Sequence, residues 1–242
     1  MKFQNLIKDK TVALVGPAAY MMGSSYGEEI NSCDIVIRIN RSYESVKEHS
    51  KDIGNRTDVL YSCLIEKPAN AGKLDLDIFL ENNIKYICAP PESNMKGLSN
   101  ETKLHDLINK EKVYQISNKI PVRIVDHIFH NDLSLSVDCR PNTGFVAIYD
   151  LLRYSPKQLN VYGFSFYLDG FFEGVKEGVQ EEQGLTPQEF ADKCFGSKRH
   201  VQKNMWKHAK QTLLSDPIVK LDSTLQKILE MKEFSREEFK GS

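Results

Sequence analysis

Short apolar runs rich in β-branched residues, set apart by helix-like segments, constrain this chain more than any other feature. Thr11–Val15, Asp34–Asn40, Asp58–Ser62, Ile84–Ala89 and Leu159–Phe164 are too short for buried helices and read as strands, with further strands expected at Val113–Ile116 and Ile218–Leu221. Helices are expected around Glu28–Ser32, Leu74–Asn82, Lys103–Asn109 and Pro121–His130, the last with proline in its first turn. Further along come Pro187–Lys193 with Thr186 as cap, an amphipathic helix over Ser197–Leu213, and Leu225–Met231. Strands alternating with helices predict an α/β sandwich around a mainly parallel sheet. In such sheets ligands collect at the carboxyl ends of the strands, and those ends carry Gly16, Asn40, Ser62 and Ser165.

With 242 residues the chain can bury a substantial core, as one large domain or a domain plus a subdomain; no repeat or low-complexity segment is evident, and one domain over 1–242 is expected. A formal net charge of -1 argues against a nucleic-acid or anionic-membrane partner. Five cysteines lie scattered with no CxxC pair, and Cys33, Cys63 and Cys88, in or beside apolar runs, are expected to be buried free thiols. Met1–Lys8 does not read as a signal peptide, and no run of about 18 apolar residues occurs, so a soluble or cytoplasmic chain without a transmembrane segment is expected.

The segment Arg140–Leu152 opens with a small polar loop and continues with Phe145, Ile148, Leu151 and Leu152 at helical spacing. Asn142-Thr143-Gly144 at such a helix start brings unpaired N–H groups, a side-chain cap and a favourable dipole, the ingredients of an anion site, although an ordinary capped helix has the same look. No GxGxxG follows the first strand and no GxxxxGK[ST] or HExxH occurs. Asp75-Leu76-Asp77 matches a DxD metal motif but sits in a helix-like run, which favours a structural role. Glu173–Gly184 is acidic with three glycines and reads equally as a mobile lid or as a solvated connection, within a variable stretch at 168–198. His200 stands out among the six histidines: if Ser197 caps the following helix, the dipole at its first turn keeps the imidazole neutral and suited to general-base work. His127 and His130 are expected at the surface of their helix, and His208 two turns further in than His200.

Read together, these blocks resemble the sialyltransferases that carry sialylmotifs, glycosyltransferase family 29. Val12–Asn40 is similar to the large sialylmotif, Ile53–Thr57 to the short segment after it, Arg140–Phe164 to the small motif, and His200 to the histidine of the very small motif. The resemblance implies a variant GT-A fold and metal-independent, inverting transfer of sialic acid from CMP-sialic acid to a glycan acceptor such as a galactoside, with no cofactor. It further implies that Asn40 binds the nucleotide and that Asn142, Thr143 and Gly144 hold its ribose and phosphate. Gly16 would allow close backbone approach, Ser62 would add a contact, Gly163 and Ser165 would line the cytidine pocket, and His200 would be the base.

The chain also departs from that pattern. Pro17 replaces the family's asparagine, and the positions of a bridging cysteine pair are Val12 and Pro156, so that disulfide is not expected. Phe171–Gly174 lacks the phosphate-binding histidine, and Asn204 stands where an acidic residue is expected. Arg140 before the phosphate loop and Tyr167 after the strand end look closer to the bacterial family 42 sialyltransferases; Tyr167 would then hold the leaving phosphate, although an aromatic core place suits it as well. Acceptor choice is expected to lie with 90–138 and 168–198. Transfer of another CMP-ulosonate such as CMP-Kdo, hydrolysis of the donor, and a degenerate module that binds nucleotide or glycan without turnover stay open on these residues.

Overall fold

The computed structural model describes residues 2–91 and 108–241. Seven strands form one sheet: β1 (Thr11–Val15), β2 (Ile35–Ile39), β3 (Val59–Tyr61), β4 (Tyr86–Ala89), β5 (Val122–Ile124), β6 (Gln158–Tyr162) and β7 (Val219–Leu221). Their order is β5-β4-β3-β2-β1-β6-β7, and every neighbouring pair is parallel. The chain winds outward from β1 to β5 in one direction and returns to the other side of β1 with β6. The crevice between β1 and β6 is therefore the topological switch point, where the connections leave in opposite directions.

The helices are α1 (Phe3–Ile7), α2 (Gly27–Ser32), α3 (Ser50–Ile53), α4 (Leu76–Glu81), α5 (Lys110–Ser117) and α6 (His127–Ser136). They continue with α7 (Thr143–Leu152), α8 (Val179–Gln183), α9 (Pro187–Phe195), α10 (Gln202–Leu213), α11 (Ser223–Glu230) and α12 (Arg236–Gly241). Because side chains alternate along a strand, each central strand feeds two cores. Val12, Leu14, Ile35, Ile37, Val59, Leu159 and Val161 pack with α1, α7, α10 and α11 on one face. Ala13, Val15, Val36 and Tyr162 pack with Met21, Ile30 and Ile53 on the other, and Leu60 and Ile87 meet Phe79 and Ile116 nearer the β5 edge. Among the described residues no helix is long and apolar enough to cross a membrane.

Local chemistry explains where the elements depart from expectation. The strand expected at Val113–Ile116 is helix α5, because the Asn109 side chain accepts from Lys112 N–H and Val113, Ile116 and Ile120 fall on one inward face. The helix expected from Pro121 is split. Val122–Ile124 joins the sheet beside β4, and Asp126 caps a helix that starts only at His127. The helix expected at Lys103–Asn109 falls largely outside the described residues; of its positions, Ile108 bridges to Ile65. His130, expected at the surface, is fully buried on α6. The cysteines are free, as expected, but Cys139 is buried with Cys33 and Cys88 whereas Cys63 is only partly so. Asp75 of the DxD caps α4 and pairs with Lys73. Arg38, buried in β2, donates to the carbonyls of Ile53, Gly54 and Arg56, so the Ile53–Thr57 motif folds around a guanidinium within the core.

Candidate active site

A cavity of about 340 Å³ opens at the carboxyl ends of β1, β2, β3, β4 and β6. At its floor two backbones touch. A Cβ added to Gly16 would lie 2.4 Å from Gly163 O, and one added to Gly163 would lie 2.5 Å from Gly16 O. Gly163 also has φ +73, a conformation side chains resist. Gly16 thus permits the β1 and β6 turns to approach each other, and it does not itself line the cavity. The turn is held from behind: Gly163 N–H donates to Asp222, and Phe164 N–H donates to the Tyr20 hydroxyl, which in turn donates to Asp222.

Helix α7 points its N-terminus into the space. The Asn142 side chain accepts from Phe145 N–H at 2.9 Å, and among the described residues the amides of Thr143 and Gly144 have no partner. The Phe164 ring covers this terminus so closely that a Cβ on Gly144 would meet it at 2.7 Å. Asn40, at the end of β2, has φ 48, and its Oδ1 accepts from Cys63 N–H at 3.0 Å, so its NH2 group remains as a donor. Ser165 lines the wall together with Gly163. Phe166 and Tyr167 are consecutive left-handed residues (φ 52 and 59), and this bend brings the Tyr167 ring into the cavity against Phe171. Burial raises the Tyr167 hydroxyl well above the ordinary phenol range. Ser62 does not reach the cavity: it is buried, and its hydroxyl accepts from Leu64 N–H to close the turn after β3.

His200 lines the cavity too, but not from the first turn of a helix. Helix α10 begins at Gln202, and Ser197 instead accepts from His200 N–H in a separate turn, so no dipole acts as expected. Burial does the work: it pushes the imidazole down to about 4, with Arg199 and Arg140 helping and a hydrogen bond to Arg140 O opposing. That bond, 2.7 Å from Nδ1, also fixes the tautomer. A carbonyl oxygen can only accept, so Nδ1 carries the proton and Nε2 keeps its lone pair. Arg140 N–H donates to Arg199 O, which braces the two loops against each other.

Charge on the walls is one-sided. Among the described residues, Arg140, Lys176 and Arg199 line the cavity and no aspartate or glutamate does. Arg199 Nε is buried without a partner among the described residues. Of the expected site residues, Asn40, Asn142, Thr143, Gly144, Gly163, Ser165, Tyr167 and His200 therefore come together, while Gly16 and Ser62 stand behind the wall. Sequence reasoning missed Lys176, which lies in the acidic stretch that reads equally as a mobile lid or as a solvated connection. The spacing of Phe171, Val175 and Val179, four residues apart and all packed inward, was the available sign. This segment forms a wall, tied to the loop after β3 by bonds from Lys176 to Ala69 O and from Ala69 N–H to Glu182, and to the turn after β2 by Arg41 donating to Glu177 O.

Solved structures that share this fold include sialyltransferases. A mammalian sialyltransferase in complex with Gal-beta-1-3GalNAc-ortho-nitrophenol superposes with a TM-score of 0.54 at 17% identity, over 90% of this chain and 71% of that one. A variant of the sialyltransferase CstII in complex with CMP gives 0.56 at 14% identity, over 88% and 80%. An alpha-2,3-sialyltransferase from Campylobacter jejuni in apo form gives 0.53 at 12% identity, over 92% and 80%. The expected GT-A variant is thus the fold of this chain. No curated protein matches it in sequence. The model of Glycosyltransferase family 29 (sialyltransferase) nevertheless matches residues 7–169, more than half of the chain, which therefore belongs to that family of glycosyltransferases.

Proposed function

We propose that this glycosyltransferase moves a sialyl group from CMP-sialic acid to a glycan hydroxyl with inversion at the anomeric carbon, without a metal ion, and with His200 as general base. The observation that carries the reading is the His200 side chain, held as the Nδ1–H tautomer by Arg140 O, in a cavity lined, among the described residues, by three cations and no carboxylate. Such a cavity favours an anionic ligand, and CMP-sialic acid carries a phosphate and a carboxylate. The CMP bound to CstII and the galactoside bound to the mammalian neighbour support the same donor and acceptor classes here.

In this reading the phosphate meets the Thr143 and Gly144 amides at the start of α7, with Arg140 and Arg199 beside it and the Tyr167 hydroxyl as a further donor. These groups stabilise charge that builds on the departing CMP. Asn40 holds the nucleotide through its free NH2 group, and Gly163 and Ser165 shape the cytidine pocket. His200 Nε2 removes the acceptor proton as the new bond forms, while Nδ1–H stays on Arg140 O and keeps the ring aimed.

CMP release from CMP-sialic acid, followed with and without lactose, tests the whole reading. Transfer that needs lactose and persists in EDTA is expected. His200→Ala should lower transfer by about 10²–10⁴-fold while leaving CMP affinity intact. Near-normal turnover in that variant removes His200 from the mechanism, and a strict manganese requirement removes the metal-free part.

A further inference from the structure

The phosphate site at α7 has two arginines of its own, which leaves the third cation of the cavity without an assigned partner. Lys176 is only 8% exposed. Its ammonium donates to Ala69 O at 2.9 Å and lies 5.1 and 5.3 Å from the ring centroids of Phe171 and Phe190. Ala69, Phe171 and Phe190 are all cavity walls, so every group the ammonium touches borders the empty space. An ammonium has three protons to donate, and one is taken. None of the ion pairs among the described residues includes Lys176. Ring faces offset part of the cost of burying a cation but do not replace a counter-ion.

We propose that Lys176 is an anion-binding residue of this cavity, its ammonium pairing with an oxyanion of the bound donor. The inference rests on the donor reading above, in which a CMP-linked sugar acid offers two such groups, the phosphate and the sugar carboxylate. Burial lowers the ammonium to about 8, so it is charged at pH 7, and an arriving oxyanion holds the proton on it more firmly. The groups that face it electrostatically are Cys194, Cys63, Arg41 and Glu182. Burial pushes Cys194 up to about 11 and raises Cys63 above the ordinary thiol range, so both thiols are neutral at pH 7. Glu182 is engaged by Ala69 N–H, and Arg41 by Glu44 and Glu177 O.

Calorimetry on the full chain with cytidine, CMP and a non-transferable 3-fluoro analogue of CMP-sialic acid separates the roles. K176M should bind cytidine as the wild type does and lose about tenfold or more for an anionic probe, with K176R recovering most of the loss. Loss with both CMP and the analogue places the phosphate on Lys176, and loss with the analogue alone places the carboxylate there; either supports the proposal. Wild-type affinity for the affected probe should also fall as pH rises through 8, and the K176M profile should be flat. Unchanged affinities, a loss that includes cytidine, or no recovery in K176R overturns the assignment and marks Lys176 as a structural post. A wild type that binds none of the three probes refutes the donor reading itself, a different pattern from wild-type binding with an indifferent K176M.

Discussion

If His200 is the base, the acid limb of kcat/KM lies far below that of an ordinary histidine. Burial among Arg140 and Arg199 pushes the free enzyme's imidazole to about 4. At pH 5 a group titrating at about 4 is roughly 90% unprotonated, whereas one at about 6.5 is roughly 3%, a difference of about 30-fold in competent enzyme. The profile of kcat/KM, which reports the free enzyme, should therefore stay near its neutral value at pH 5 and fall only toward pH 4. The profile of kcat should fall earlier, because the bound donor brings negative charge against the two arginines and raises the imidazole again. Arg199→Gln removes one of the cations that depress it and should shift the kcat/KM limb upward. The assay is initial-rate CMP release from pH 4 to 8, with enzyme returned to pH 7 after each incubation to separate titration from unfolding. A kcat/KM limb near 6.5 refutes the argument that burial sets this pKa, and a wild-type-like limb that survives in His200→Gln refutes the identity of the base.

Two stability experiments follow from the same burial and close packing. His130 is fully buried with neither ring nitrogen paired among the described residues, and burial takes it down to about 4. The unfolded chain, titrating at about 6.5, then binds the proton first, so stability falls with pH below about 6.5, by roughly 2 kcal/mol at pH 5, and continues to fall until about 4. Urea midpoints at pH 7 and 5 should lie closer together in His130→Leu; an equal separation in both proteins shows that this histidine is not buried neutral. Gly16→Ala places a Cβ 2.4 Å from Gly163 O, a clash between backbones, and should cost about 3 kcal/mol or more and roughly 6–12 °C in Tm. Gly23→Ala, strained only by φ +81 with open space around it, is the control and should lose far less; equal losses mean that contact between the two turns is not what Gly16 provides.

Much of this molecule was legible in its sequence. The apolar, β-branched runs point to β1 to β4 and β6, because a short run buried on both faces has few other ways to pair its backbone. Asn142-Thr143-Gly144 announces a capped helix start through purely local bonding, and the cap forms as written. Errors cluster where local signals were weak or competing. Pro121 favours a helix over Val122–Ile124, yet the N–H and C=O groups of that segment are used by the neighbouring β4, a partner some 35 residues away. The start of α10 was misplaced because a Ser197 hydroxyl can close an isolated turn as well as cap a helix.

The sequence by itself determined the parallel α/β scaffold and the polar loops at its carboxyl edge, since periodicity and caps act between residues close along the chain. Only the tertiary structure decided which polar groups work together. The contact of Gly16 with Gly163, the tautomer of His200 set by Arg140 O, and the burial of Lys176 between Phe171 and Phe190 all depend on atoms distant in sequence. Burial, which moves His200 and Lys176 away from their ordinary protonation, is likewise a property of the assembled walls and of no single segment.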